Sequence, residues 1–226
     1  MGNTRDLIAS FIQERVDKLA RADIQVAIDN GTADKETYAA LLRQFYVYVR
    51  ATVPALYIAY AKLPADHPLG PDLRDSVVEE IGHEKLLLQD LAAMGLPMKP
   101  EEADAIATPA SLALQNFHLM AAEAGLIPLR CVGLLLEAFS ARASLNTVAG
   151  MEKVGIPVAA QEFMRLHGEE DGHHTERAID MLAQMAHTPQ LLQQAFHWLD
   201  TEAVLFDAFL RQAWETSPMG RSKALF

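Results

Sequence analysis

The sequence predicts an all-α protein, a single-domain bundle of about seven helices. Three observations predict it. Apolar residues recur at three- and four-residue spacing over nearly the whole chain, and no period-2 run of β-branched residues interrupts them. Proline and glycine stand at the ends of these periodic segments. The connections are short apart from a Pro-rich stretch at 95–108, and none has the composition of an interdomain linker. At 226 residues and 50% hydrophobic content the chain can close a sizeable core.

The first segment runs from about 4 to 29 and stops at Asn30-Gly31. The second, about 34–62, opens at Asp34 and ends before Pro64. The third, about 71–94, has Pro71 at its start and Gly95 at its end. Thr108-Pro109 pairs an N-cap with a proline at the first helical position and opens the fourth, about 109–124. The fifth spans about 128–150, with Gly150 at its end, and the sixth about 157–187. Thr188-Pro189 repeats the cap-and-proline signal and opens the seventh, about 189–216. Residues 217–226 read as a tail on the single domain 1–226.

Net charge is −11. Nucleic acid is excluded as a partner, because phosphate binding needs a basic footprint, and an anionic membrane surface is disfavoured for the same reason. Met1 to Ser10 is polar and lacks the apolar stretch of a secretory leader. The longest apolar run, Phe45 to Ala61, is interrupted by Arg50 and Pro54 and suits a buried helix better than a membrane span. One cysteine allows no internal disulfide. A soluble cytoplasmic protein is expected.

The chemistry concentrates on the sixth segment. His167, Asp171 and His174 share one helical face with Phe163, Ala178, Met181 and Met185. An apolar face that turns polar for two turns in its middle needs a partner, and a divalent transition metal satisfies two imidazoles and a carboxylate together. Gly168 and Gly172 flank the cluster, which suggests close backbone clearance. The competing reading is a solvated face in the run Glu169 to His174. On the third segment Glu80 and His83 interrupt the stripe Leu73, Val77, Leu87, Leu91 and Met94. Glu-x-x-His is the spacing of carboxylate-bridged di-iron bundles, and alone it is a common accident. Whether Glu79 or Glu80 faces the site stays open. On the fifth segment Glu137 follows three leucines, with Gly133, Ser140, Ala141 and Ser144 on its side. Arg130, Glu137 and Ser144 recur every seven residues, as the wall of a site or a wetted edge would.

Taken in order, Glu80, His83, Glu137 and the His167-x-x-x-Asp171-x-x-His174 motif resemble the heme-oxygenase-like di-iron oxidase and oxygenase superfamily. That group shares its bundle with TenA-type thiaminases and pyrroloquinoline quinone synthase. The stretch from Glu202 through Phe206 to Trp214 also looks TenA-like. The resemblance implies a non-heme iron enzyme, with two Fe ions or one, that uses O2 to oxidise a small organic substrate. It implies His83, His167 and His174 as nitrogen ligands, Glu137 and Asp171 as bridging or chelating carboxylates, and Glu80 as a mobile one. Substrate would meet Phe45, Tyr46, Tyr48, Phe117, Phe139 and Phe163. The chain departs from the pattern in one place: no Asp or Glu lies between Glu36 and Asp66, where many members supply a further carboxylate. The first alternative is a metal-free TenA-like C–N hydrolase, with Cys131 as nucleophile and Glu202 as acid/base. The second is a non-catalytic small-molecule-binding bundle. An apolar helical surface is compatible with a homodimer.

Overall fold

The computed structural model describes residues 3–223. Among them ten helices of seven residues or more, and two shorter ones, pack around one main apolar core. In chain order they are α1 (Thr4–Leu19), α2 (Asp23–Asp29), α3 (Lys35–Val49), α4 (Thr52–Lys62), α5 (Gly70–Glu80) and α6 (His83–Ala93). There follow α7 (Ala103–Ile106), α8 (Pro109–Ala124), α9 (Leu126–Lys153), α10 (Glu162–Met185), α11 (Pro189–Thr216) and α12 (Pro218–Lys223). No strand occurs among the described residues.

The count exceeds seven because each of the first three expected helices is two. The first breaks at Ala20–Ala22. The second breaks at Arg50-Ala51, three residues ahead of Pro54, whose ring and missing N–H disfavour helix through that turn. The third breaks at Ile81, which is extended, and Gly82, at φ +97°. Positive φ is open to glycine and strained for other residues. The fourth and seventh expected helices keep their limits, whereas the sixth starts at Glu162, after a separate 3-10 turn at Val158–Ala160. Thr108 caps α8 by accepting from Ser111 N at 3.2 Å, and Thr188 caps α11 from Leu191 N at 3.2 Å. Part of the expected tail is ordered: Ser217 is buried, its Oγ accepts from Gly220 N at 3.1 Å, and α12 folds back on α11. Residues 224–226 lie outside the described residues.

The long helix α9 is the axis of the molecule and packs against α1, α2, α4, α8, α10 and α11. Glycine lets two neighbours approach closely. A Cβ at Gly150 would lie 2.0 Å from Ile28 O, and one at Gly168 would lie 2.8 Å from Leu145 Cδ2. The clearance inferred at Gly168 thus serves the α9–α10 contact, whereas Gly172 has open space around it. At the other face of α10, the buried Asp90 of α6 accepts from Glu162 N and Phe163 N, each at 2.9 Å. It satisfies donors that a helix start leaves open and pins the start of α10 to α6.

Candidate metal centre

Asp90 and the α9–α10 contact bring together side chains from three stretches of chain. Glu80 ends α5, His83 begins α6, and His167 lies near the start of α10. The ligand-type atoms of these three all lie within 4.8 Å of one another. His83 Nδ1 is 3.1 Å from Glu80 Oε2, and the His83 and His167 rings are 4.9 Å apart between centroids. Glu80 and His83 therefore meet across the Gly82 break rather than along one continuous helix, as their spacing had suggested. Of the two candidate carboxylates, Glu80 turns inward and Glu79 is exposed.

Asp171, Glu137 and His174 adjoin this trio. Asp171 is buried at 4% exposure, and its Oδ1 lies 3.7 Å from His174 Nδ1. Burial, reinforced by the Glu137 and Glu80 charges, pushes the Asp171 carboxyl up to about 8. Burial and then Glu80 also raise Glu137. Burial pulls Glu80 upward too, but His83 beside it and the charges of His167 and His174 bring it below its ordinary value. Glu80 holds His83 above its own, while burial lowers His167. His167 Nδ1 is 2.8 Å from Phe163 O, so that nitrogen carries the proton and Nε2 keeps its lone pair. Asp171 Oδ2 is shut off from solvent without a hydrogen-bond partner. Three carboxylates and three imidazoles gathered together, with one orphaned carboxylate oxygen, fit a bound cation of intermediate softness.

The centre opens on a cavity of about 150 Å³. Glu80, Glu137, His167, Asp171 and His174 line it, together with Phe45, Tyr48, Phe139 and Phe163. Arg130, Glu137 and Ser144 all face it, so their seven-residue recurrence marks a cavity wall. Two of the expected substrate aromatics face elsewhere. Tyr46 is buried in the main core, and Phe117 packs on Trp198 in a satellite cluster. On the α3–α4 side the wall is Phe45, Tyr48, Val49, Thr52, Ala55 and Leu56, so no carboxylate reaches the cavity from there.

Cys131 is fully buried in the core, outside the cavity lining. Burial and the Glu202 charge raise its thiol far above the ordinary value, which disfavours the nucleophilic thiolate. Glu202 is also fully buried, and its Oε1 accepts from His118 Nε2 at 3.0 Å. Burial raises its carboxyl against that histidine. Sequence reasoning missed His118, which lines the cavity edge-on to Tyr48, and the capping Asp90. For Asp90 a signal existed: an acid set in the stripe of Leu87, Leu91 and Met94.

Among solved structures, a TenA homologue from Pseudomonas syringae pv. tomato superposes with a TM-score of 0.80 at 12% identity, over 92% of this chain and 91% of that one. A TenA homologue from P. horikoshii OT3 gives 0.78 at 18%, over 95% and 99%. A domain of unknown function with a heme oxygenase-like fold, from Shewanella denitrificans, gives 0.76 at 16%, over 93% and 91%. At these identities the likeness concerns the fold. No curated protein matches the sequence. The profile of the family described as iron-containing redox enzymes matches residues 39–203, a span that holds every residue of the centre. With that span and this fold, the chain belongs to the iron-containing redox enzyme family of heme-oxygenase-like proteins.

Proposed function

We propose that the protein is a non-heme iron oxidase or oxygenase that uses O2 to oxidise a small organic substrate held in the cavity. The observation that carries this reading is the convergence of Glu80, His83 and His167 to within 4.8 Å, beside the buried Asp171. In this reading His83, His167 and His174 offer nitrogen, and Glu137, Asp171 and Glu80 offer oxygen. The group supplies, when bound, the electrons that reduce dioxygen. The residues around it have separate tasks. The Phe163 carbonyl orients His167 through its Nδ1 proton, leaving Nε2 with its lone pair free. Asp171 and Glu137, raised by burial, give up their protons as a cation enters. Phe45, Phe139 and Phe163 keep water from the reacting end of the substrate.

The donor set suits two ions, or one in the Glu80–His83–His167 trio. Anaerobic titration with Fe(II), followed by O2 and absorption spectroscopy, tests the proposal. The expected result is binding near two equivalents, with an O2-dependent visible band that His167→Ala abolishes. One equivalent lost in the same variant would leave a single-ion oxidase. No Fe(II) binding at all would overturn the reading. Cys131 in the core supports the hydrolase alternative less well, since a nucleophile must reach the substrate.

A further inference from the structure

Two arginines line the cavity, Arg130 and Arg177, and the iron chemistry uses neither; Arg177 is paired with Asp72. Arg130 stands on α9 and lines the cavity. Its Nε and Nη2 are shut off from solvent and meet no acceptor. The carboxylates whose charge it feels are Glu137, Asp72 and Glu79, yet none of them comes within 4 Å as an ion pair. Asp72 is taken by Arg177, and Glu79 is exposed. Glu137 belongs to the metal centre. Burying these two donors without an acceptor is unfavourable, so folding alone gives no reason for them to be there.

We propose that Arg130 is the anchor for a substrate carboxylate, so that the enzyme acts on small organic acids bound with the acid group remote from the centre. The assignment of this cavity as the reaction site rests on the iron reading above. Two unpaired N–H groups on one planar fork match the two oxygens of a carboxylate. Arg177 also lines the cavity but is paired with Asp72, so Arg130 offers one unpaired fork beside several carboxylates, which suits a monoanion better than a phosphate dianion. Arg130 precedes Glu137 by seven residues on α9, about 10 Å along the helix axis. The acid group and the oxidised position of the substrate are therefore separated by several bonds. Between them the wall is apolar, with Leu56, Leu129, Val132, Leu134 and Leu136. This body of the pocket takes an alkyl or aryl chain.

The test is calorimetric binding to chelator-treated, metal-free protein, which removes any coordination of the carboxylate to a metal. The probes are butanoate, hexanoate, octanoate and phenylacetate, their methyl esters, and hexyl phosphate. At least one acid should bind saturably, and its ester about tenfold or more weaker. Arg130→Gln should weaken the acid by a similar factor while leaving the ester unchanged, and Arg130→Lys should fall between. Because Arg130→Gln removes an unpaired buried charge, its melting temperature should equal or exceed that of the wild type. The proposal is overturned if no acid binds, if acid and ester bind alike, if Arg130→Gln changes neither, or if hexyl phosphate binds as well as the acids. Carboxylate binding that depends on Arg130, in a protein that takes up no Fe(II), would uphold the anchor and sink the iron reading alone.

Discussion

Asp171 holds a proton that the unfolded chain would release. Its carboxyl sits at about 8 in the fold against an ordinary 3.8, because burial and two neighbouring carboxylates disfavour the charged form. Between those values the folded chain binds more protons than the unfolded one, so its stability falls as pH rises through the window. The contribution is most favourable below it and is lost above the folded value. Metal-free wild type should therefore lose about 3 kcal/mol more stability than Asp171→Asn between about pH 5 and 8, measured by urea melts. An equal slope in both proteins would show that Asp171 is solvated. At this scale the polar interruption was legible in the sequence, since His167, Asp171 and His174 lie on a face otherwise apolar. The choice between Glu79 and Glu80 was not, because adjacent residues on a helix end point about 100° apart and only packing says which way is in.

The helix breaks place the donors. Continuous periodicity ran through 71–94, yet the chain reverses its local twist at Gly82, and Glu80 meets His83 across that turn. Gly82→Ala should destabilise by about 1–2 kcal/mol through positive-φ strain alone, since a Cβ there meets nothing within 4 Å. It should also weaken Fe(II) binding by shifting Glu80 against His83. A variant of reduced stability with unchanged Fe(II) affinity would mean that the break does not position the donors. The break ahead of Pro54 had a local signal, since proline removes a donor and crowds the preceding turn, although the expected helix 34–62 ran through it. The Gly82 break was not legible, because a lone glycine is tolerated inside many helices. The apolar stripe around Asp90 marked it as buried, but not its partners, the backbone N–H groups of a helix start 72 residues away.

For the molecule as a whole, the cavity depends on α11, far from the metal donors in sequence. Phe206 is fully buried, stacks on Phe209 with centroids 5.3 Å apart, and meets Phe45 and Phe139 on the cavity side. Phe206→Ala should lower stability by about 3–5 kcal/mol and enlarge the cavity. Denaturant unfolding checks the first effect. The second should appear as a shift of the acid preference toward bulkier members relative to the wild type. Loss of stability without any change in acid preference would detach Phe206 from the substrate wall.

The sequence by itself determined the all-α class, the limits of α8 and α11, and the histidine and carboxylate types that converge beside the cavity. Helical period, caps and prolines act within a few residues, so they survive as local signals. Only the tertiary structure decided that Arg130, Glu137 and Ser144 face a cavity, that Tyr46 and Phe117 face away from it, and that Cys131 lies in closed core. A helical period says which residues share a face. What that face meets depends on the packing of α9 against α4, α8 and α10, which is set by side-chain volumes and close backbone approaches spread over the whole chain.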